Sequence, residues 1–189
     1  MKNAFTRRFK ILFYLIAALW LFEAVNLILG RALSQWGILP RTLRGLAGIP
    51  LAPFLHSGIR HLLLNTPPLA FLGALIIFSE GENGRRAFMK TTAFVILAGG
   101  AALWLAGRPS IHLGASGLVF GYFGYLTAGG IFKRKLSAAA AALAAVASYG
   151  GILWGLAPTL PGVSWEGHLF GLAAGGLAAK ISKPPKKNP

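Results

Sequence analysis

The sequence has no cysteine in 189 residues, and its only acidic side chains are Glu23, Glu80, Glu82 and Glu166. The first absence excludes disulfides, thiolate catalysis and cysteine-based zinc sites. The second leaves little from which to build a carboxylate pair for acid–base work. No HExxH pair sets two histidines on one helix face for a metal, and no stretch repeats another. Charged residues are 12% of the chain against 55% hydrophobic, and the mean hydropathy is +0.62. That balance excludes an ordinary water-soluble fold, and no segment is large enough to form a soluble domain of its own.

What is present is a series of apolar runs near the ~20 residues that cross a bilayer's hydrocarbon core. They cover residues 9–29, 57–79, 87–106, 116–132, 136–156 and 164–181, which gives an all-α, polytopic membrane protein with six transmembrane helices. The first run is long and has no clear A-x-A cleavage site, so it reads as a helix and not as a signal peptide. Pro67 and Pro68 interrupt the second run, but a membrane helix tolerates prolines where neighbours satisfy the freed carbonyls. Residues 30–55 differ, with Pro40, Pro50, Pro53 and three arginines, and read as a long interfacial loop with short helices. The domain reading is a basic lead-in over 1–8, one six-helix domain over 9–182, and a disordered basic tail over 183–189.

A net charge of +15 would point to nucleic acid in a soluble protein. Here the cations lie between apolar runs, so topology and anionic headgroups account for them, and no nucleic-acid partner is expected. With the N-terminus inside, the inner segments carry Lys2, Arg7, Arg8, Lys10, Arg85, Arg86, Lys90, Lys133, Arg134, Lys135, Lys180, Lys183, Lys186 and Lys187. The outer segments carry only Arg31, Arg41, Arg44, Arg60 and Arg108. Both termini are therefore expected in the cytoplasm, with the protein in a bacterial inner membrane. Glu80, Glu82 and the cations after them read as a solvated cytoplasmic turn.

On that topology the second, fourth and sixth helices run from outside to inside. Each begins with unusual polar residues: His61 and Asn65, then Ser116, then His168. Polar side chains at one depth, on three helices, face the bundle interior and mark a functional site. His61 and Asn65 are four apart and share a face. Gly117-xxx-Gly121 and Gly167-xxx-Gly171-xxx-Gly175 are small-residue faces through which the fourth and sixth helices can approach closely. That approach would bring Ser116 and His168 within reach of each other. A serine needs a base to become a nucleophile, and a histidine can take and return the proton. Glu166 lies two positions from His168 on a different face, so the expectation is a dyad and not a triad. The Ser116 amide at a helix N-terminus, with the side chains of His61 and Asn65, would bind the oxyanion. His56 and His112 lie at segment ends and read as interfacial or structural. No cofactor or metal is needed by this chemistry.

These residues carry a resemblance. His56-xxxx-His61-xxx-Asn65 on the second helix, Gly114-Ala115-Ser116-Gly117 opening the fourth, and Gly167-His168 with Gly171 and Gly175 on the sixth resemble the rhomboid intramembrane serine proteases. The resemblance covers nearly the whole chain and implies a rhomboid-like bundle. It implies Ser116 as nucleophile, His168 as base, and His61 with Asn65 around the oxyanion. The implied substrates are transmembrane segments of other membrane proteins, in contact with the lipid bilayer. Many members carry a Trp-Arg pair in the first loop, where this chain has Leu43-Arg44, so Arg44 is the expected anchor of that loop. Substrate is expected to enter between the second and fifth helices, the fifth being nearly all alanine over residues 137–147. The loop over 158–165 is expected to cap the site. Two rivals are an inactive rhomboid-like binder of transmembrane helices, which usually lacks the serine or the histidine, and a small transporter, which would favour internal repeats.

Overall fold

A computed structural model describes residues 2–159 and 162–182, with side chains from residue 7 onward. The tail expected over 183–189 lies outside the described residues. Among the described residues all regular structure is helical, with loops between the helices and one isolated antiparallel bridge between Ile38 and His112. In chain order the helices are α1 (Lys2–Ile28), α2 (Leu43–Leu51), α3 (Ile59–Ser79), α4 (Gly84–Phe94), α5 (Gly100–Ala106), α6 (Ser116–Phe132), α7 (Leu136–Tyr149) and α8 (Trp165–Ile181). A π-helical turn, Val95–Gly99, joins α4 to α5 in one continuous rod, and a 3₁₀ segment, Gly150–Leu156, prolongs α7.

Four of these rods are long and apolar enough to cross a membrane: Arg7–Ile28, Ile59–Ser79, Gly81–Ala106 and Leu136–Leu156. Their outer faces carry exposed large side chains such as Phe13, Leu97, Leu143 and Trp154. So much uncovered apolar surface suits hydrocarbon as its solvent. The shorter α6 is apolar on every side and is buried by the others; Leu118 through Leu126 are all inaccessible. A helix of that composition belongs at the centre of a bundle. At 17 residues it is about 25 Å long, a little under the hydrocarbon thickness.

Backbone-to-backbone contact fixes α8 against α6. A Cβ on Gly171 would collide with the Gly117 carbonyl, and one on Gly175 with the Gly121 carbonyl. The expected small-residue crossing is therefore present, Gly171 pairing with Gly117 one turn from where Gly175 pairs with Gly121. Gly121's own Cβ position instead faces Val95 of the π turn.

The first loop is more ordered than an interfacial ribbon. A 3₁₀ turn at Ala32–Trp36, helix α2 and a second 3₁₀ turn at Ala52–Phe54 fold it back on the bundle. Its anchor is Arg41, not the expected Arg44. The Arg41 guanidinium donates to the carbonyls of Leu105 (3.1 Å) and Gly107 (2.9 Å), whose α5 terminus leaves them without helical partners. Trp104 Nε1 donates to the Thr42 carbonyl at 2.8 Å. Arg44 is exposed and makes no such bond among the described residues.

The turn after α3 also departs from expectation, because Glu80 is not simply solvated. Lys133, at the end of α6 and 6% exposed, pairs with Glu80. Its ammonium lies 2.6 Å from Tyr125 Oη, which itself donates to Glu80 at 3.1 Å. A lysine tethered in this way at the end of a buried helix has little room to reach solvent, and a partner carboxylate is the way to keep it charged. Removing one partner strands the other: Lys133→Ala is expected to lower stability by about 3 kcal/mol. The double change Lys133→Met with Glu80→Gln should cost less than Lys133→Ala alone. Thermal unfolding in detergent separates the two.

Candidate active site

Ser116 is the first residue of α6 and lines a cavity of about 60 Å³ with Ile38, Leu103, Gly114, Gly167 and Gly171. Its hydroxyl makes no hydrogen bond among the described residues. The approach to it is a sharp turn. Gly114 has φ +115°, a region that favours glycine, and a Cβ there would lie 2.6 Å from His61 Cε1. The imidazole of His61 thus packs directly on the backbone two residues before Ser116. The Gly114 amide donates to the Ala52 carbonyl at 2.9 Å, and the Ala115 amide to His56 Nε2 at 3.3 Å. The Ser116 amide, next in line, precedes any intrahelical carbonyl that could accept from it.

His168 is the fourth residue of α8. Its ring stacks on Phe120, with centroids 4.2 Å apart and planes 8° from parallel. Phe120 stands one turn after Ser116 on the same face of α6, so this stack brings His168 to the serine's side of the helix. Ser116 and His168 are not hydrogen-bonded to each other; Phe120 is what links them. His168 Nδ1 lies 2.8 Å from the Gly155 carbonyl. A carbonyl can only accept, so Nδ1 carries the hydrogen and Nε2 is left as a bare acceptor. A Cβ on Gly155 would lie 3.0 Å from both His168 Nδ1 and Phe120 Cζ, so a side chain there would push on the stacked rings.

On α3, His61 Nδ1 contacts Ser57 Oγ at 3.1 Å, and buried Asn65 donates through Nδ2 to the His61 carbonyl at 2.9 Å. One amide hydrogen of Asn65 is thereby occupied and the second remains. His61 is brought to the Ser116 turn through Gly114; the side-chain hydrogen bond of Asn65 stays within its own helix.

His56 is not interfacial. It is fully buried, edge-on to His61 with centroids 5.2 Å apart. Burial, and then the neighbouring His61, push its pKa down to about 4, against a smaller opposing effect of the Phe54 carbonyl. Between pH ~6.5 and ~4 the unfolded chain therefore binds a proton that the folded chain refuses, and stability falls as pH falls through that window. The depression from 6.5 to about 4 corresponds to roughly 3 kcal/mol. Melting temperature is expected to drop from pH 7 to pH 4.5, and His56→Gln to flatten that slope. His112 is likewise buried and structural. Its Nε2 donates to the Arg108 carbonyl at 3.1 Å, which leaves Nδ1 to accept from Ser164 Oγ at 2.6 Å. Ser164 in turn caps α8 by accepting from the Gly167 amide. Burial lowers the His112 pKa as well. Glu166, on another face of α8 from His168, pairs with Arg108 Nε at 3.4 Å. Among the described residues no three His, Asp or Glu side chains gather to hold a metal ion. Pro158, Thr159, Gly162 and Ser164 line a second cavity with His112; residues 160–161 of the expected capping loop lie outside the described residues.

The family model for the Rhomboid domain matches residues 44–184. The chain belongs to the rhomboid family. Similar chains include the uncharacterized proteins Rv1337 of Mycobacterium tuberculosis (strain ATCC 25618 / H37Rv) and Mb1372 of Mycobacterium bovis (strain ATCC BAA-935 / AF2122/97). Each is 39% identical over 181 residues, spanning 91% of this chain and 74% of the relative. The uncharacterized protein ML1171 of Mycobacterium leprae (strain TN) is 37% identical over 181 residues, spanning 91% and 70%. Membership in this family, with its long apolar helices, makes this rhomboid an integral membrane protein.

Three residues of the rhomboid site escape a reading of its sequence. Phe120 is flagged only by its four-residue spacing from Ser116. Gly155 acts through its carbonyl, which every residue has. Arg31, in a left-handed conformation, donates to Glu23 at 3.0 Å and to the His56 carbonyl at 3.3 Å, and no local pattern announces that.

Proposed function

We propose that the protein is an intramembrane serine endopeptidase that cleaves transmembrane segments of other membrane proteins with a Ser116–His168 dyad. Family membership supports intramembrane proteolysis at the level of the family. The observation that carries the finer reading is the tautomer of His168: Nδ1 is tied to Gly155, and Nε2 is free on the face of α6 that begins with Ser116. In the proposed reaction Ser116 Oγ attacks the scissile carbonyl carbon while its proton passes to His168 Nε2. The oxyanion is met by the Ser116 amide, the free Asn65 amide hydrogen and His61. Collapse breaks the C–N bond, and the leaving amine takes the proton from His168. Water then repeats the sequence on the acyl-enzyme and releases the acid.

The same proposal takes six spans, formed by α1, α3, the α4–α5 rod, α6, α7 and α8. Both termini are cytoplasmic, the site opens outward, and the bilayer is a bacterial inner membrane. A fluorophosphonate probe tests the enzyme against a non-catalytic helix binder or a transporter. Labelling of the wild type, and none of Ser116→Ala, is the expected result; equal labelling of both would overturn the dyad.

His61→Ala and Asn65→Ala are each expected to slow turnover by ~10²–10³-fold, as loss of an oxyanion donor does elsewhere. Unchanged turnover in Asn65→Ala would leave it only its bond to the His61 carbonyl.

Substrate is proposed to enter between α3 and α7. Helix α7 buries only its alanines, Ala138, Ala141 and Ala145, and turns Leu143 and Val146 outward. Its contact with α3 includes the Phe71–Tyr149 ring pair, 5.5 Å between centroids. Cross-linking Phe71→Cys to Tyr149→Cys with a short bifunctional thiol reagent should block cleavage of a transmembrane substrate and spare a small soluble ester. Cleavage of both substrates would rule the gate out.

A further inference from the structure

At the end of the bundle opposite Ser116, α4, the end of α6 and the end of α8 flank an open cavity of about 820 Å³. Three cations line it, Arg86, Lys90 and Lys135, and none has an ion-pair partner among the described residues. Arg86 and Lys90 are four apart on α4 and reach into it from one face, while Lys135 comes from the turn before α7. The fourth lining cation, Lys133, is already neutralised by Glu80. The cavity thus holds an excess of about three positive charges. Part of its lining is apolar: Phe94 and Leu97 follow Arg86 and Lys90 along the same α4–α5 rod, with Leu97 exposed, and Ile181 lines it from the end of α8.

A site that is cationic at the end of the bundle and apolar along its length matches an amphiphile with a phosphate at one end. We propose that this cavity holds the phosphate headgroup of an anionic phospholipid, with an acyl chain along Phe94 and Leu97. A compact anion would satisfy the cations but leave the apolar lining uncovered. The lipid covers both, and its binding would fasten α4, α6 and α8 together where no glycine contact does so.

Native mass spectrometry of the detergent-purified full chain tests this, with phosphatidylglycerol, phosphatidylcholine and inorganic phosphate as probes. Phosphatidylglycerol should be retained, and phosphatidylcholine should not. Each Lys or Arg near an anionic headgroup contributes ~1 kcal/mol, so Arg86→Ala with Lys90→Ala should weaken retention by about 30-fold. Arg85→Ala with Arg134→Ala removes the same net charge outside the cavity and should leave retention unchanged. Lys135 comes from a different element, the turn before α7, so Lys135→Ala should weaken retention even if the α4 double variant folds poorly. Equal losses in the inside and outside pairs would reduce the effect to general electrostatics and overturn the site. Displacement of the lipid by millimolar inorganic phosphate would make the ion alone the ligand and overturn the lipid.

Discussion

Ser116→Ala is expected to abolish cleavage and probe labelling while leaving the melting temperature within a degree or two of wild type. Loss of the nucleophile in a serine hydrolase removes most of its catalytic advantage, up to ~10⁶-fold in turnover. The structural cost is small because the hydroxyl is bonded to nothing among the described residues. Substitutions that break no contact usually change stability by less than ~0.5 kcal/mol. His168→Ala should be equally inactive but not equally stable. It removes the stack on Phe120 and strands the Gly155 carbonyl, a loss of about 1–3 kcal/mol. Comparing turnover with unfolding midpoints for the two variants therefore tests nucleophile and base separately. Residual turnover in Ser116→Ala above a few parts in a thousand would assign the chemistry elsewhere.

The second large effect belongs to a residue that touches no substrate. Gly171→Val puts a branched side chain where the Gly117 carbonyl already stands. Neither backbone can yield alone, since each is held in its own helix, so α8 must move away from α6. Overpacking of this kind costs about 1–3 kcal/mol and more where backbone is struck. Displacement of His168 by even ~1 Å is enough to lose ~10²-fold in rate. The expected result is a clear drop in melting temperature together with near-complete loss of activity. Gly176→Ala, at a glycine whose Cβ position meets only Ala128 Cβ at 3.8 Å, should be nearly silent on both counts. If Gly171→Val kept both stability and activity, the α6–α8 contact would not be what places His168.

The helices were legible because hydrophobic run length is a property of consecutive residues, and the runs at 57–79, 116–132 and 164–181 agree closely with α3, α6 and α8. Ser116, His61, Asn65 and His168 stood out because polar groups are rare in such runs. What escaped depends on contacts between distant segments. Arg41 anchors the first loop through carbonyls more than sixty positions away, so nothing local separates it from Arg44. Glu80 looked solvated because its partner Lys133 lies 53 positions on. His56 sits among ordinary loop residues, yet it accepts from the Ala115 amide 59 positions later, which holds it inside. The π turn at Val95–Gly99 arises where the α4–α5 rod presses on α8 and α6, Gly99 against Phe170 and Val95 against Gly121.

The Gly171–Gly117 and Gly175–Gly121 contacts between α6 and α8, a single turn apart and joined by Leu172 against Gly124, have a kinematic consequence. One point of touching backbone would still permit α8 to pivot; two points along the axis remove both rotation and sliding. The pair behaves as a single strut, and the separation of Ser116 from His168 is a fixed length of that strut. The proposed entry of substrate between α3 and α7 would then leave this strut in place. On that flank α7 buries only alanines, touches α3 through the Phe71–Tyr149 ring pair, and faces a helix that carries two prolines.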